Sequence, residues 1–162
     1  MKETAQHLRD TLNTLKPLLL KIKDKEAGIK PSPKKWSNKE IIGHLIDSAC
    51  NNQQKFVRLL LSDQPHIEFV GYAQDDWVAA QHYQKAKWKQ LVRTWYAYNM
   101  HIAHIIEYAN PKRLDNTIAI NGIGAFRLDF IMTDYVEHLK HHMKVVLPEA
   151  GIESKFESIY NA

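Results

Sequence analysis

An all-α fold, an up-and-down four-helix bundle with one short extended excursion between its third and fourth helices, is what the sequence predicts. Four segments repeat apolar residues at helical spacing, the connections between them carry helix-stopping residues, and strand-like patterning shows in one connection only. A length of 162 residues, 44% of them hydrophobic and 25% charged, predicts one globular domain over residues 1–162.

The first segment, from about Thr4 to Ile22, spaces Ala5, Leu8, Leu12, Leu15, Leu19 and Ile22 along one face. Pro17 removes a backbone donor, so a kink or interruption is expected there. The loop Lys30-Pro31-Ser32-Pro33-Lys34-Lys35 breaks the chain, and Ser37 with Glu40 then forms a capping box, flanked by Trp36 and Ile41 as a hydrophobic staple. The second helix therefore begins near Asn38. Its stripe runs through Ile41, Leu45, Ser48, Asn52, Phe56 and Leu59, and His44 shares that face.

A turn-rich connection from Ser62 to Tyr72 leads to a third helix, capped by Asp75 or Asp76, with Trp88, Leu91, Trp95, Tyr98, Ile102, Ile105 and Ala109 inward. Asn110-Pro111 ends it. Thr117 to Phe126 is extended, with Asn121-Gly122 suited to a small hairpin. The fourth helix places Leu128, Ile131, Tyr135, His138, His142 and Val145 on one face and stops near Leu147-Pro148.

The net charge of +4, from 22 basic and 18 acidic residues, is concentrated in lysines between Lys16 and Lys39. Asp24, Glu26 and Glu40 interrupt that run, which is the pattern of a solvated surface and speaks against nucleic acid as a partner. No stretch approaches the roughly 20 apolar residues of a membrane span. The lone Cys50 and the polar start Met1-Lys2-Glu3-Thr4 point to a reducing cytoplasm.

Chemistry is carried by histidines. His138 and His142 lie four apart, so both rings project from one helical face, and His44 lies on the inward face of another helix. Three neutral imidazoles can hold a divalent cation and leave a position open for water or substrate. Glu137 precedes His138 rather than following it, so the His-Glu-x-x-His pattern of zinc proteases is absent. Asp134 and Asp47 can orient the ligand rings, and Asp47 is the candidate catalytic acid or base. The other six histidines are expected to be structural or on the surface, with His141 about 100° round the helix from His142.

Lys35-Trp36-Ser37-Asn38-Lys39-Glu40-Ile41-Ile42-Gly43-His44-Leu45-Ile46-Asp47-Ser48 and Asp134-Tyr135-Val136-Glu137-His138-Leu139-Lys140-His141-His142 resemble the helix-two and helix-four signatures of the DinB-like superfamily. Between them, Gly71-Tyr72-Ala73-Gln74-Asp75-Asp76-Trp77 resembles a loop of the branch that includes the YfiT-type bacillithiol transferases. The resemblance implies a four-helix bundle, commonly a homodimer, with His44, His138 and His142 as ligands of nickel or zinc.

It also implies a small-molecule substrate without choosing among activities, and the three-histidine pattern is read in three ways, in order of preference. The first is transfer of a low-molecular-weight thiol to an electrophile, the second hydrolysis by metal-activated water, the third a non-catalytic metal-binding stress-response module. Substrate contacts are expected from Asn51 and Lys55 on the second helix and from Tyr72, Gln74 and Trp77 at the open end of the site. Related sequences often carry arginine where Lys55 stands, so a forked contact to a carboxylate becomes a point charge here.

Overall fold

The computed structural model describes residues 1–157. Its long helices are α1 (Lys2–Leu19), α3 (Asn38–Leu61), α5 (Trp88–Glu107) and α6 (Leu128–Val146), with the short α2 (Asp24–Ala27) and α4 (Gln74–Ala80) in the connections. The second helix starts where the sequence predicts: Ser37 Oγ accepts from the Glu40 amide, and the Glu40 carboxylate accepts from the Ser37 amide at 2.8 Å. α1 runs through Pro17, which sits in its last turn, and the helix ends two residues later.

Hydrogen bonds give the helix directions. The indole of Trp88, at the start of α5, donates to the carbonyl of Leu19 at the end of α1 (2.8 Å), while Arg9 pairs with Glu107 at the opposite end (2.5 Å). α1 and α5 are thus antiparallel. Lys39, at the start of α3, donates to the Ala86 carbonyl just before α5 (2.9 Å), so α3 and α5 run the same way. His44 and Ser48 of α3 face His142 and His138 of α6, which makes that pair antiparallel. The order is up, down, down, up. α1 and α3 each pack against both α5 and α6, so consecutive helices at either end of the chain lie across the bundle from each other.

The expectation of an all-α, up-and-down bundle is therefore corrected in two respects. First, α3 and α5 are parallel, because the connection between them travels the length of the bundle instead of turning back. Second, a three-stranded mixed sheet closes one end. β2 (Thr117–Ile120) and β3 (Ile123–Arg127) form the expected hairpin, turned by Asn121 and Gly122 at φ 54° and 74°, while β1 (His66–Phe69) adds in parallel to β2. β1 is a four-residue segment whose partner lies about fifty positions away, so no local pattern announces it.

The predicted third helix is also divided. A left-handed residue, His82 (φ 50°), and a single 3-10 turn at Tyr83–Lys85 separate α4 from α5. Tertiary contacts win over local propensity there: Tyr83 and Gln81 bond to Asp47, and the Tyr83 ring lies so close to Gly43 that a Cβ on it would fall 2.1 Å from a ring atom.

Trp88, Trp95, Phe56, Leu8, Leu12 and Leu45 are fully buried at the centre of the bundle. No helix among the described residues is long and apolar enough to cross a membrane.

Candidate metal centre

The three histidines converge between α3 and α6, near the end of the bundle where α3 begins and α6 finishes. His138 Nε2 lies 3.1 Å from His142 Nε2 and 3.5 Å from His44 Nε2. Two nitrogens bound to one tetrahedral ion at about 2.0–2.1 Å stand about 3.3 Å apart, so the observed spacings match a shared cation. One potential ligand atom from each ring lies within 4.8 Å of the other two.

Burial shapes their chemistry. His44 is fully buried, and its Nδ1 has no hydrogen-bond partner. Loss of hydration pushes the His44 imidazole down to about 3, with the neighbouring His142 adding to the shift. His142 falls to about 4 for the same reason, helped by His141. His138 is held well below its ordinary value, again by desolvation first and then by His142 and His44. All three rings are consequently neutral at physiological pH, the state in which imidazole offers a lone pair to a metal.

The surroundings hold α3 in place. Trp36, next to the capping box, packs its ring 5.0 Å from that of His44. Asp47 lies one turn further along, and its Oδ1 accepts from the Tyr83 hydroxyl at 2.6 Å and from Gln81. Burial raises the Asp47 carboxyl above its usual range, against the effect of those two donors.

A cavity of about 280 Å³ opens beside the histidines and is lined by His138 and His142. Of the predicted substrate contacts, Lys55, Tyr72 and Gln74 line it. Asn51 and Trp77 do not, and neither does Asp47, the candidate catalytic acid or base: Asn51 is buried and donates to the Asp47 carbonyl (2.9 Å), while Trp77 packs against Tyr72 with ring centroids 5.0 Å apart. Burial brings the Lys55 ammonium down to about 8, opposed by the charge of Asp134.

Sequence reasoning missed several lining residues. Ser48 and Asn52 show in the sequence only as part of the α3 stripe, and His141 only as a surface residue; His141 is exposed yet also reaches the cavity rim. Phe156 was not anticipated at all. It lies beyond the end of α6, and its ring packs 5.0 Å from His138 and 5.4 Å from His141. The one available signal was the alternation Ile152, Ser154, Phe156, too short to interpret alone.

Comparison with known proteins bears on the fold and the family. No curated protein matches the chain significantly. Among solved structures, one described as YfiT from Bacillus subtilis, "a probable metal-dependent hydrolase with an unusual four-helix bundle topology", superposes with a TM-score of 0.77, covering 93% of this chain and 87% of that one. At 16% identity, that likeness establishes a shared fold. The family model of the DinB superfamily matches residues 4–146, and the chain belongs to that superfamily.

Proposed function

We propose that the protein is a divalent-metal-dependent enzyme in which His44, His138 and His142 hold the ion, nickel or zinc, and that it transfers a low-molecular-weight thiol to an electrophilic small molecule. The observation that carries this reading is the meeting of three neutral imidazoles, His44 buried and His138 and His142 half-buried, with ring nitrogens 3.1 and 3.5 Å apart beside an open cavity. A cation in such a donor set acts as a Lewis acid and lowers the pKa of a thiol or water at its open position.

The chain's own residues divide the remaining tasks. Lys55 offers a partly buried positive charge within the cavity, suited to a carboxylate of the thiol cosubstrate. Tyr72 and Gln74 offer hydrogen-bonding groups from the facing segment, and Trp77 braces Tyr72. Asp47 acts as a positioning residue: by binding Tyr83 and Gln81 it ties the segment after α4 to the helix that carries His44. Cys50 does not line the cavity, so the nucleophile is supplied by the cosubstrate.

Hydrolysis of an ester or amide is the second reading, favoured by the description of the YfiT structure as a probable metal-dependent hydrolase. Gently purified protein should contain close to one divalent ion per chain. Turnover of a model electrophile that requires added bacillithiol, glutathione or cysteine supports thiol transfer; turnover without thiol supports hydrolysis. Protein that takes up no divalent metal would overturn both.

A further inference from the structure

After α6 the chain reverses at Gly151, whose φ of +61° is a left-handed conformation that glycine adopts without strain. From there it returns along α6 as an extended strap. Ile152, Ser154 and Phe156 turn inward and the residues between them are exposed.

Glu137 anchors this strap. Its backbone carbonyl accepts from Ser154 Oγ at 2.7 Å, and its carboxylate accepts from the Lys155 amide at 2.6 Å and from Lys140 Nζ at 2.8 Å. The Phe156 amide in turn donates to Ser154 Oγ at 3.1 Å. Residue 137 immediately precedes His138, so the strap is pinned next to a proposed metal ligand and its phenyl ring lies against that ligand's imidazole.

The composition of the cavity wall gives that ring a meaning. Every other lining side chain among the described residues carries a nitrogen or oxygen atom, and Phe156 is the exception. Tyr72 and Tyr135, the latter with its hydroxyl bonded to Asn99, add ring carbon to the wall, and Phe156 is the wholly apolar side chain that adjoins His138.

We propose that Phe156 is a specificity-determining residue: it selects substrates that carry an apolar, preferably aromatic, group directly beside the atom that engages the metal. This rests on the three-histidine metal reading above. The ring gives such a group a surface for edge or offset stacking and removes apolar area from water. A substrate with a small polar group at that point gains neither.

The test uses full-length protein loaded with cobalt(II) and titrated by its visible absorption with two chelating probes, benzohydroxamate and acetohydroxamate, which differ in a phenyl against a methyl group. Wild type is expected to bind the phenyl probe about tenfold more tightly, equivalent to about 1.4 kcal/mol. Phe156→Ala should bring the two affinities to within about twofold while retaining cobalt, and Phe156→Leu should keep part of the preference. Phe156→Asn, which has the size and shape of leucine without its apolar surface, should behave as the alanine variant does. Equal discrimination by wild type and by the alanine or asparagine variant, with cobalt bound in each, overturns the role of Phe156 alone. Failure of wild type to bind cobalt overturns the metal centre, and this inference with it.

Discussion

Acid should destabilise the metal-free protein steeply between pH 7 and pH 5, because the desolvated histidines titrate far below their unfolded values. An unfolded histidine titrates near 6.5, whereas His44 and His142 are pushed down to about 3 and about 4 in the folded chain. Between those limits the unfolded state holds more protons than the native state, so stability rises with pH and is lost as pH falls. At pH 5 each of the two sites costs about 2 kcal/mol, against about 0.2 kcal/mol at pH 7, a combined loss of about 4 kcal/mol.

His138, shifted in the same direction, adds to that figure. Asp47 works in the opposite sense, since its raised folded value favours the native state as pH falls through it. Glu40, Asp129 and Glu137, all lowered, contribute stability that is present above about pH 4.5 and lost below it, mostly outside the window. Urea unfolding of chelator-treated protein at pH 7, 6 and 5, followed by tryptophan fluorescence, measures the effect. His142→Ala should shrink the loss between pH 7 and 5 by about 2 kcal/mol. Equal losses in wild type and His142→Ala would refute the argument that these rings are desolvated and neutral.

Zinc or nickel at about a thousand times its dissociation constant should stabilise wild type by about 4 kcal/mol, read as a rise in melting temperature, and His138→Ala should abolish that rise. Lys55→Met should raise KM for an anionic cosubstrate tenfold or more while changing kcat little, and steady-state kinetics with charged and uncharged thiols checks it. Gly43→Ala should destabilise by about 2 kcal/mol or more in chemical denaturation, since its Cβ would meet the Tyr83 ring at 2.1 Å. Ser37→Ala should cost about 1 kcal/mol or slightly more, because Ser37 Oγ serves both the Glu40 amide and Gln84.

What was legible in the sequence follows from how local each signal is. The α3 start was readable because a capping box is complete within four residues, and the β2–β3 turn because Asn-Gly tolerates positive φ. The pairing of His138 with His142 was readable because helical geometry fixes it. Features set by distant partners were not. The parallel β1–β2 pairing depends on strands in separate connections, and the break before α5 depends on Tyr83 and Gln81 reaching Asp47 on α3. The same dependence explains the substrate contacts: Lys55 and Asn51 are one turn apart, yet one lines the cavity and the other bonds back to its own helix. A stripe of apolar residues identifies a buried face without saying which part of it borders a cleft.

The separation of His44 from His138 by 94 residues has a consequence for biogenesis. Its partner rings belong to the last long helix, so a growing polypeptide that has emerged only through α5 has one of the three imidazoles and little affinity for a cation. Contacts of such high order close late in folding. On the proposed three-histidine reading, metal loading follows assembly, and a chain stalled before α6 should take up little divalent cation.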